Sequence, residues 1–297
     1  MPPPLLLLGH TGYVGSAISR YLTRENVPFR GVSRKDHDYT NLDVLRNLLR
    51  ETKPQFLINC AGYTGKPNVD ACEDHKAECL AGNAVLPGTI RIACEEAGIP
   101  WGHVSSGCIY TGCRPDGSGF TELDKPNFSF RTDNCSFYSG TKALGEECLA
   151  GAENVYIWRL RIPFDSIDSS RNYLSKLMRY DRLLSAVNSI TQLDEFARVC
   201  WQSFVQQIPF GIYNVTNTGH ISTEEVVELI HAHLGVDKSF QFFASETEFM
   251  AKAARTPRSN CILDNSKLLA TGIPISHVTD AVANALKNWR AEKLRQH

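Results

Sequence analysis

The chain has 297 residues, 42% hydrophobic and 21% charged, which is enough for one large domain or two fused lobes with a substantial core. Its 31 basic and 32 acidic residues nearly cancel and form no long run of one sign, so the charge pattern argues against a nucleic-acid partner or a membrane surface. The ten cysteines include no Cys-x-x-Cys pair, which indicates reduced thiols in a cytoplasmic protein, and no stretch approaches the roughly 20 apolar residues of a membrane span.

Short apolar runs alternate with longer helical patterns through the first half of the chain, as a parallel sheet with crossover helices requires. The first run stops at Gly9 and is shorter than the roughly 7–15 residues of a signal-peptide core, so we expect no secretory signal. Residues 70–97 are helix-like but contain Gly82 and Pro87, so two helices or one interrupted helix are both open. The predicted strands are 5–8, 29–33, 55–59, 101–105 and 155–159.

The pattern becomes less regular after residue 163. Gly235 stands where a helix C-cap is expected, after a helical segment with acidic residues in its first turn. We predict an α/β protein with a Rossmann-type doubly wound parallel sheet in residues 1–163, rejoined by elements of 188–215, and a smaller substrate-binding lobe mainly in 164–297. The predicted later helices are 172–180, 193–207, 222–234 and 277–294, and the predicted strands are 211–215 and 240–243.

Three glycines separate the first strand from the first helix: Gly9, Gly12 and Gly15. Glycines there permit a tight turn and a close backbone approach, and the helix N-terminus presents free N–H groups to a pyrophosphate. The spacing alone is a weak signal, but its position between a strand and a helix favours a dinucleotide site over an ordinary turn. The predicted cofactor contacts also include the intervening residues Thr11, Tyr13 and Val14.

The residues after the second strand favour NADP(H). A site for NAD usually has an acidic residue about 20 positions after the glycines, where it accepts from the ribose hydroxyls. Here Ser33, Arg34 and Lys35 stand at this place, and a hydroxyl with two cations suits a 2′-phosphate. Asp36 keeps NAD as the alternative, and the two cations are also compatible with an ordinary solvated loop. No cluster of His, Cys, Asp and Glu has metal-ligand spacing, so we predict no metal.

Tyr138 and Lys142 lie four residues apart on a predicted helix, so both side chains project from one face. We expect the ammonium to lower the pKa of the phenol and make it a proton donor to a carbonyl oxygen. Ser106 is expected to hydrogen-bond the same oxygen. Cys108 could move a proton on carbon as a thiolate of intrinsic pKa about 8.5, although a lone cysteine near a strand end is more often a packing residue.

These motifs resemble those of the extended short-chain dehydrogenase/reductase family. Within it, the segments at 60–70 and 257–260 are similar to those of the nucleotide-rhamnose synthase epimerase-reductases. That resemblance implies an NADPH-dependent 3,5-epimerase/4-reductase that converts a UDP- or dTDP-4-keto-6-deoxyglucose to the L-rhamnose nucleotide. It also implies an upstream 4,6-dehydratase that makes the substrate, and it leaves a homodimer possible.

The resemblance assigns further roles by position. Lys176 is implied as the proton-transfer partner of Cys108 on the opposite face of the sugar ring. Contacts are also implied for Ala61, Gly62 and Arg161 toward the cofactor, and for Asn172 and Arg258 toward the sugar nucleotide.

The sequence is also compatible with several alternatives. Gly107 and Cys108 occupy the two positions where 4,6-dehydratases carry Asp and Glu, so dehydratase activity is not expected. The segment 106–109 also resembles GDP-fucose synthase, and a dTDP-4-dehydrorhamnose reductase without epimerase activity fits the same reducing motif. From another class, a non-catalytic NADP-binding regulatory subunit like the beta subunit of methionine adenosyltransferase shares this fold.

Overall fold

A parallel sheet of six strands forms the centre of the computed structural model, which describes residues 4–66 and 68–291. The strands follow the spatial order β2-β1-β3-β4-β5-β6, and each begins and ends within one residue of its predicted position. The predicted Rossmann-type α/β fold is confirmed. The strands are β1 (Leu5–Leu8), β2 (Phe29–Val32), β3 (Phe56–Asn59), β4 (Trp101–Ser106), β5 (Val155–Leu160) and β6 (Gly211–Asn214).

Helices cover both faces of the sheet, and the alternating side chains of β1 show why its four leucines are all buried. Leu5 and Leu7 pack with helices α1 and α7 on one face, whereas Leu6 and Leu8 pack with α2, α4 and Leu149, the residue after α5, on the other. A strand covered on both faces reads as a continuous apolar run. These helices are α1 (Tyr13–Arg24), α2 (Leu42–Thr52), α4 (Leu86–Ala97), α5 (Phe137–Cys148) and α7 (Leu193–Val205).

The segment between β3 and β4 is one interrupted helix rather than two separate ones. After a 3₁₀ turn at Val69–Cys72, α3 (Lys76–Leu80) runs through a π-helical turn at Ala81–Val85 directly into α4. Such single π turns inside α-helices are frequent at functional sites. The turn places the side chain of Asn83 in the protein interior.

The second lobe has its own apolar cluster, to which α6, α8 and α11 contribute. Helix α8 begins at a capping box formed by Ser222 and Glu225 and ends at Gly235 with φ 60°, as its sequence predicts. The boundary at residue 163 stays a prediction. The remaining helices are α6 (Tyr173–Arg179), α8 (Thr223–Leu234), α9 (Glu246–Ala253), α10 (Ser266–Leu269) and α11 (Val278–Lys287). Two-residue strands pair Pro163–Phe164 with Thr191–Gln192, Val187–Asn188 with Ile221–Ser222, Arg182–Leu183 with Gln241–Phe242, and Ile167–Asp168 with Arg290–Ala291.

The last helix is shorter than the predicted 277–294. It ends at Lys287, and the chain then pairs with Ile167–Asp168 through a bond from the Arg290 amide to the Ser166 carbonyl (3.0 Å). Residues 292–294 of that prediction lie outside the described residues, as does Pro67 of the segment 60–70. Within residues 4–66 and 68–291, none of the helices has both the length and the apolar character that crossing a bilayer requires.

Candidate active site

The glycine turn after β1 packs so tightly, at Gly9 against the loop after β3 and at Gly15 against itself, that both positions exclude a side chain. Gly9 has φ 73°, and a Cβ there would stand 2.7 Å from the amide nitrogen of Ala61. A Cβ on Gly15 would stand 2.2 Å from the Gly9 carbonyl oxygen. Gly12 begins α1 without a side-chain cap, so the first N–H groups of the helix are available to an anion. This cradle fits the pyrophosphate of a dinucleotide.

The other residues predicted in this turn divide between the surface and the core. Thr11 is exposed at the turn, whereas Tyr13 and Val14 open α1. Val14 packs against the core cluster on that face of the sheet. Any contact that these three side chains make with the cofactor stays a prediction.

The end of β2 presents two exposed cations beside an engaged carboxylate. The Ser33 hydroxyl donates to Asp36 Oδ2 at 2.6 Å and the Ser33 amide donates at 3.2 Å, and these bonds lower the pKa of Asp36. Arg34 and Lys35 are exposed on the same loop. Because Asp36, the first acidic residue after β2, accepts from Ser33, the loop with its two cations fits a 2′-phosphate better than a pair of ribose hydroxyls.

Helix α5 carries both residues of the predicted reducing motif. Lys142 is 6% exposed, and its ammonium donates to the Val104 carbonyl at 3.5 Å. Its Nζ also lies 3.4 Å from the position that a Cβ on Gly62 would occupy. The lysine therefore lies between the end of β4 and the loop after β3, where Ala61 and Gly62 were predicted to contact the cofactor.

The pKa of Tyr138 is raised well above its ordinary value, so the expected lowering by Lys142 is wrong for this structure. Burial is the main cause, the nearby Cys108 thiol adds to it, and a hydrogen bond with Ser106 acts in the opposite direction. Burial also lowers the pKa of Lys142. The phenol is held protonated, which is the state that a proton donor needs.

Cys108 lies in the 3₁₀ turn Gly107–Ile109, which directly follows β4. Ser106 caps this turn by accepting a bond from the Cys108 amide at 3.2 Å. The cysteine is 5% exposed and belongs to an apolar cluster against which Tyr138 packs. Burial raises the pKa of its thiol, whereas a hydrogen bond with Ser106 and the charge of Arg161 lower it. Ser106, Cys108 and Tyr138 are thus brought together.

Lys176 lies on α6, half-buried, and burial followed by the charge of Arg171 lowers its pKa. Arg171 joins the start of α6 to the loop after β3 through bonds to Thr64 Oγ1 (3.3 Å) and the Gly65 carbonyl (2.9 Å). In the described part of the chain, no hydrogen bond or ion pair links Lys176 to Cys108. Its part in proton transfer stays a prediction.

Asn172 has a structural role at the start of α6. It is fully buried and caps α6, where its side-chain oxygen accepts from the amides of Leu174 (3.1 Å) and Asp165 (3.3 Å). Its side-chain nitrogen donates to the carbonyls of Asp165 (2.7 Å) and Ile167 (2.8 Å). These bonds use every donor and acceptor of the amide. Direct substrate contact by Asn172 would require breaking the cap.

Arg258 is held in a bidentate pair by Asp70, with both N–O distances at 2.7 Å. Although burial opposes ionisation of Asp70, this pairing lowers its pKa. Since Asp70 follows the loop after β3 and Arg258 belongs to the second lobe, the pair crosses between the two parts of the fold. A contact of Arg258 with a diphosphate stays a prediction.

Sequence reasoning missed Asn83 in the π turn. Its amide accepts from the Tyr63 amide (2.9 Å) and donates to the Tyr63 carbonyl (2.8 Å), which fixes the loop after β3. It also donates to Thr141 Oγ1 (3.2 Å), which in turn contacts the Cys79 sulfur at 3.3 Å. Gly82 beside a polar residue inside a helical pattern is the signal that could have indicated a buried amide here. Across the described residues, no group of three or more His, Cys, Asp or Glu side chains could hold a metal ion.

A protein-family profile, the RmlD substrate binding domain, matches residues 4–291. The chain is similar to a bifunctional dTDP-4-dehydrorhamnose 3,5-epimerase/dTDP-4-dehydrorhamnose reductase from Arabidopsis thaliana, with 35% identity over 89% of this chain and 85% of that protein. It is also similar to a trifunctional UDP-glucose 4,6-dehydratase/UDP-4-keto-6-deoxy-D-glucose 3,5-epimerase/UDP-4-keto-L-rhamnose-reductase from the same plant, with 34% identity over 89% of this chain. The chain spans 39% of the length of that trifunctional protein.

Among solved structures, the UDP-rhamnose synthase from Acanthamoeba polyphaga mimivirus has the same fold. The TM-score is 0.89 at 24% identity, over 97% of this chain and 100% of that one. A dTDP-4-dehydrorhamnose reductase from Bacillus anthracis, solved in complex with NADP, has a TM-score of 0.81 at 20% identity over 97% of this chain and 99% of its own.

Proposed function

The chain belongs to the RmlD substrate binding domain family, which includes dTDP-4-dehydrorhamnose reductases and rhamnose synthases. We propose that it is a bifunctional 3,5-epimerase/4-reductase. Its substrate is a UDP- or dTDP-4-keto-6-deoxy-D-glucose and its product is the corresponding L-rhamnose nucleotide. The observation that carries the proposal is the meeting of Cys108 with Ser106 and Tyr138 in one buried cluster beside Lys142.

NADPH is the cofactor in this proposal, and when bound it supplies a hydride to C4 of the sugar. The close contact of Gly9 and Gly15 with neighbouring backbone supports a pyrophosphate cradle, and the engaged Asp36 supports NADPH over NADH. The residues that would hold the cofactor are Gly9, Thr11, Gly12, Tyr13, Val14, Gly15, Ser33, Arg34, Lys35, Ala61, Gly62, Tyr138, Lys142 and Arg161.

Reduction uses Tyr138 as the proton donor. Its raised pKa keeps a proton on the phenol, and this proton passes to O4 as C4 is reduced. Ser106 hydrogen-bonds the same oxygen, and the buried Lys142 orients the ribose of the cofactor next to it.

Epimerisation uses the acidity that the C4 ketone gives to the protons on C3 and C5. The Cys108 thiolate removes one of these protons and becomes a thiol, while the electron pair moves onto O4 as an enolate. Lys176 returns a proton to the same carbon from the opposite ring face, which inverts the centre. Ser106 and Tyr138 stabilise the charge on O4 in both reactions, so one oxyanion site serves the epimerase and the reductase.

The nucleotide-sugar substrate comes from a 4,6-dehydratase, because the 4-keto group must exist before this enzyme acts. Arg258 contacts the diphosphate, for which a guanidinium held by Asp70 is well suited. A homodimer and a cytoplasmic location stay predictions.

The test is an assay of the purified chain with UDP- and dTDP-4-keto-6-deoxyglucose and NADPH in D₂O. We expect NADPH oxidation, an L-rhamnose nucleotide as the product, and deuterium at C3 and C5. Absence of both NADPH consumption and deuterium uptake would contradict the proposal and favour a non-catalytic regulatory subunit. A GDP-linked 4-keto substrate turned over faster than both others would favour a GDP-fucose-type enzyme.

A Cys108→Ser variant separates the epimerase from a simple reductase. We expect loss of deuterium exchange by about 100-fold or more, the usual scale of acid–base catalysis, while reduction of a preformed 4-keto-L-rhamnose nucleotide continues. Unchanged exchange in this variant would mean that a group other than Cys108 moves the proton. Absence of exchange in the parent protein, with reduction of the preformed ketone intact, would leave a dTDP-4-dehydrorhamnose reductase without epimerase activity.

A further inference from the structure

Arg161 is a buried cation whose identified partners are neutral. It follows β5 directly and is 6% exposed. Its Nη2 donates to Asn188 Oδ1 at 2.8 Å and to the Ser259 carbonyl, while its Nε is buried without a hydrogen-bond partner. Arg159, two residues earlier and 2% exposed, is by contrast paired with Glu146 at 2.6 Å. Burying a cation beside neutral groups is unfavourable unless an anion forms nearby.

The backbone after Arg161 is strained. Ile162 has φ 36°, although it is β-branched and precedes Pro163, two features that oppose this conformation. Such strain persists where surrounding contacts fix the chain, and it clusters at functional sites. The Arg161 amide is fixed by a bond to Thr191 Oγ1 at 3.0 Å. The fold therefore maintains an unfavourable backbone conformation at Ile162, directly after the residue that carries this guanidinium.

The guanidinium stem lies under the turn that carries Cys108. Arg161 Cδ would be 3.5 Å from a Cβ on Gly107, the residue before the cysteine. The charge of Arg161 acts on the Cys108 thiol more strongly than that of Lys142 does. Other ionisable groups near this thiol include Tyr138, Lys142, Cys72, Cys135 and Cys261.

Tyr173 is a second titratable group that Arg161 influences, and Glu224 acts on the same phenol. Burial raises the pKa of Tyr173 to about 12, against the effects of Thr223 and Arg161, so this phenol stays neutral at physiological pH. The Cys108 thiol, whose turn contacts the Arg161 stem and which feels the charge of Arg161, is then the candidate source of a negative charge.

We propose that Arg161 is a positioning residue that stabilises the Cys108 thiolate as a buried ion pair. Loss of the thiol proton to solvent creates the pair, and transfer of a proton from the sugar carbon to sulfur dissolves it until that proton is released in turn. The catalytic use of this pair rests on the proposed epimerase function, because reduction alone has no need of a thiolate.

The experiment measures the ionisation of Cys108 without substrate or cofactor. Each protein is treated with iodoacetamide between pH 6 and 10, and the alkylation rate at Cys108 is followed by site-resolved mass spectrometry. The variants are Arg161→Met, which removes the charge, and Arg161→Lys, which retains it. Tyr173→Phe is the matched control, because it removes the hydroxyl of a second group that Arg161 influences and retains the ring. Circular dichroism verifies that each variant is folded.

We expect Arg161→Met to slow alkylation of Cys108 at pH 8 by about tenfold, which corresponds to one unit in the thiol titration. Arg161→Lys should stay within about threefold of the parent protein, and Tyr173→Phe should leave the rate unchanged. An unaltered Cys108 titration in Arg161→Met would overturn the proposal. If that variant instead raised only the KM for the nucleotide sugar, the anion that Arg161 serves would belong to the substrate.

The test of the ion pair can fail or succeed independently of the test of the epimerase function. Absence of deuterium exchange in the parent protein would remove the epimerase, yet the alkylation profile would still report whether Arg161 stabilises the thiolate. A normal exchange activity together with unaltered alkylation in Arg161→Met would remove the ion pair and leave the epimerase.

Discussion

Tyr138 and Cys108 share one cluster but need opposite protonation states. Burial raises the pKa of both groups, which keeps protonated the phenol that must donate a proton and disfavours the thiolate that must accept one. Below its pKa, the thiolate fraction of Cys108 increases about tenfold per pH unit. The protonated fraction of Tyr138 remains near one between pH 6 and 8, because its pKa is raised well above its ordinary value.

The two partial reactions should therefore depend differently on pH. Between pH 6 and 8 we expect deuterium exchange to rise up to about tenfold per unit, while reduction of a preformed 4-keto-L-rhamnose nucleotide changes by less than about twofold. NADPH absorbance measures the second rate, and NMR of the sugar measures the first. A parallel rise of both rates would show that a shared step, rather than the thiolate, controls the profile.

The spacing of Tyr138 and Lys142 was sufficient to place them on one helix face, because helical periodicity depends on local sequence alone. The sign of the Tyr138 shift was not predictable in this way. It depends on the desolvation produced by the apolar cluster around the phenol, which includes Cys261 and Leu263 from a distant part of the chain. Partners of Arg161 such as Ser259 are likewise nearly a hundred residues away.

The contact between α5 and the π turn leaves no room for a side chain at Gly145. A Cβ there would lie 2.1 Å from the Asn83 carbonyl oxygen, which is backbone and cannot swing aside. We expect Gly145→Ala to lower the free energy of unfolding by about 1–3 kcal/mol and to reduce turnover, because Asn83 also fixes the loop after β3. Urea denaturation measures the first effect.

Gly88→Ala is the matched control on the neighbouring helix α4. Its Cβ would meet the Cys148 Cβ at 3.9 Å, an ordinary contact. Because alanine favours a helix interior over glycine, this variant should gain about 0.5–1 kcal/mol. If the two alanine variants behaved alike, the close packing at Gly145 would not be a determinant of stability.

Elements with a strong local signal were predicted within a residue or two, and those set by tertiary contacts were not. The strand at Leu5–Leu8 is a buried apolar run, and the helix ending before Gly235 carries its own cap. The predicted end of the last helix was wrong, because the chain after Lys287 pairs with the segment near Ser166 instead of continuing as a helix. Asn172 shows the same limit, since its N-cap geometry depends on Asp165 and Ile167 as well as on its own helix.

Three arginines connect the second lobe with the loop region after β3. Arg171 bonds to Gly65, Arg255 pairs with Asp74 at 2.7 Å, and Arg258 pairs with Asp70 at 2.7 Å. The side chains of the Arg258 pair are 20% and 13% exposed, whereas those of the Arg255 pair are 61% and 53% exposed. Water screens the Arg255 pair far more than the Arg258 pair, so the Arg258 pair contributes more stabilisation at a similar distance.

This contrast provides a test of whether Arg258 binds substrate or only joins the lobes. We expect Arg258→Ala to raise the KM for the nucleotide sugar by about tenfold or more, the scale of a lost charge-assisted hydrogen bond. Asp70→Asn retains the guanidinium and a hydrogen-bond acceptor, so its KM should remain within about threefold of the parent value. Arg255→Ala should leave KM unchanged and alter the free energy of unfolding by less than about 0.5 kcal/mol. Initial-rate kinetics of all three variants decide the matter: an equal rise of KM in Arg258→Ala and Asp70→Asn would mean that the ion pair, and not a contact of Arg258 with the diphosphate, governs substrate binding.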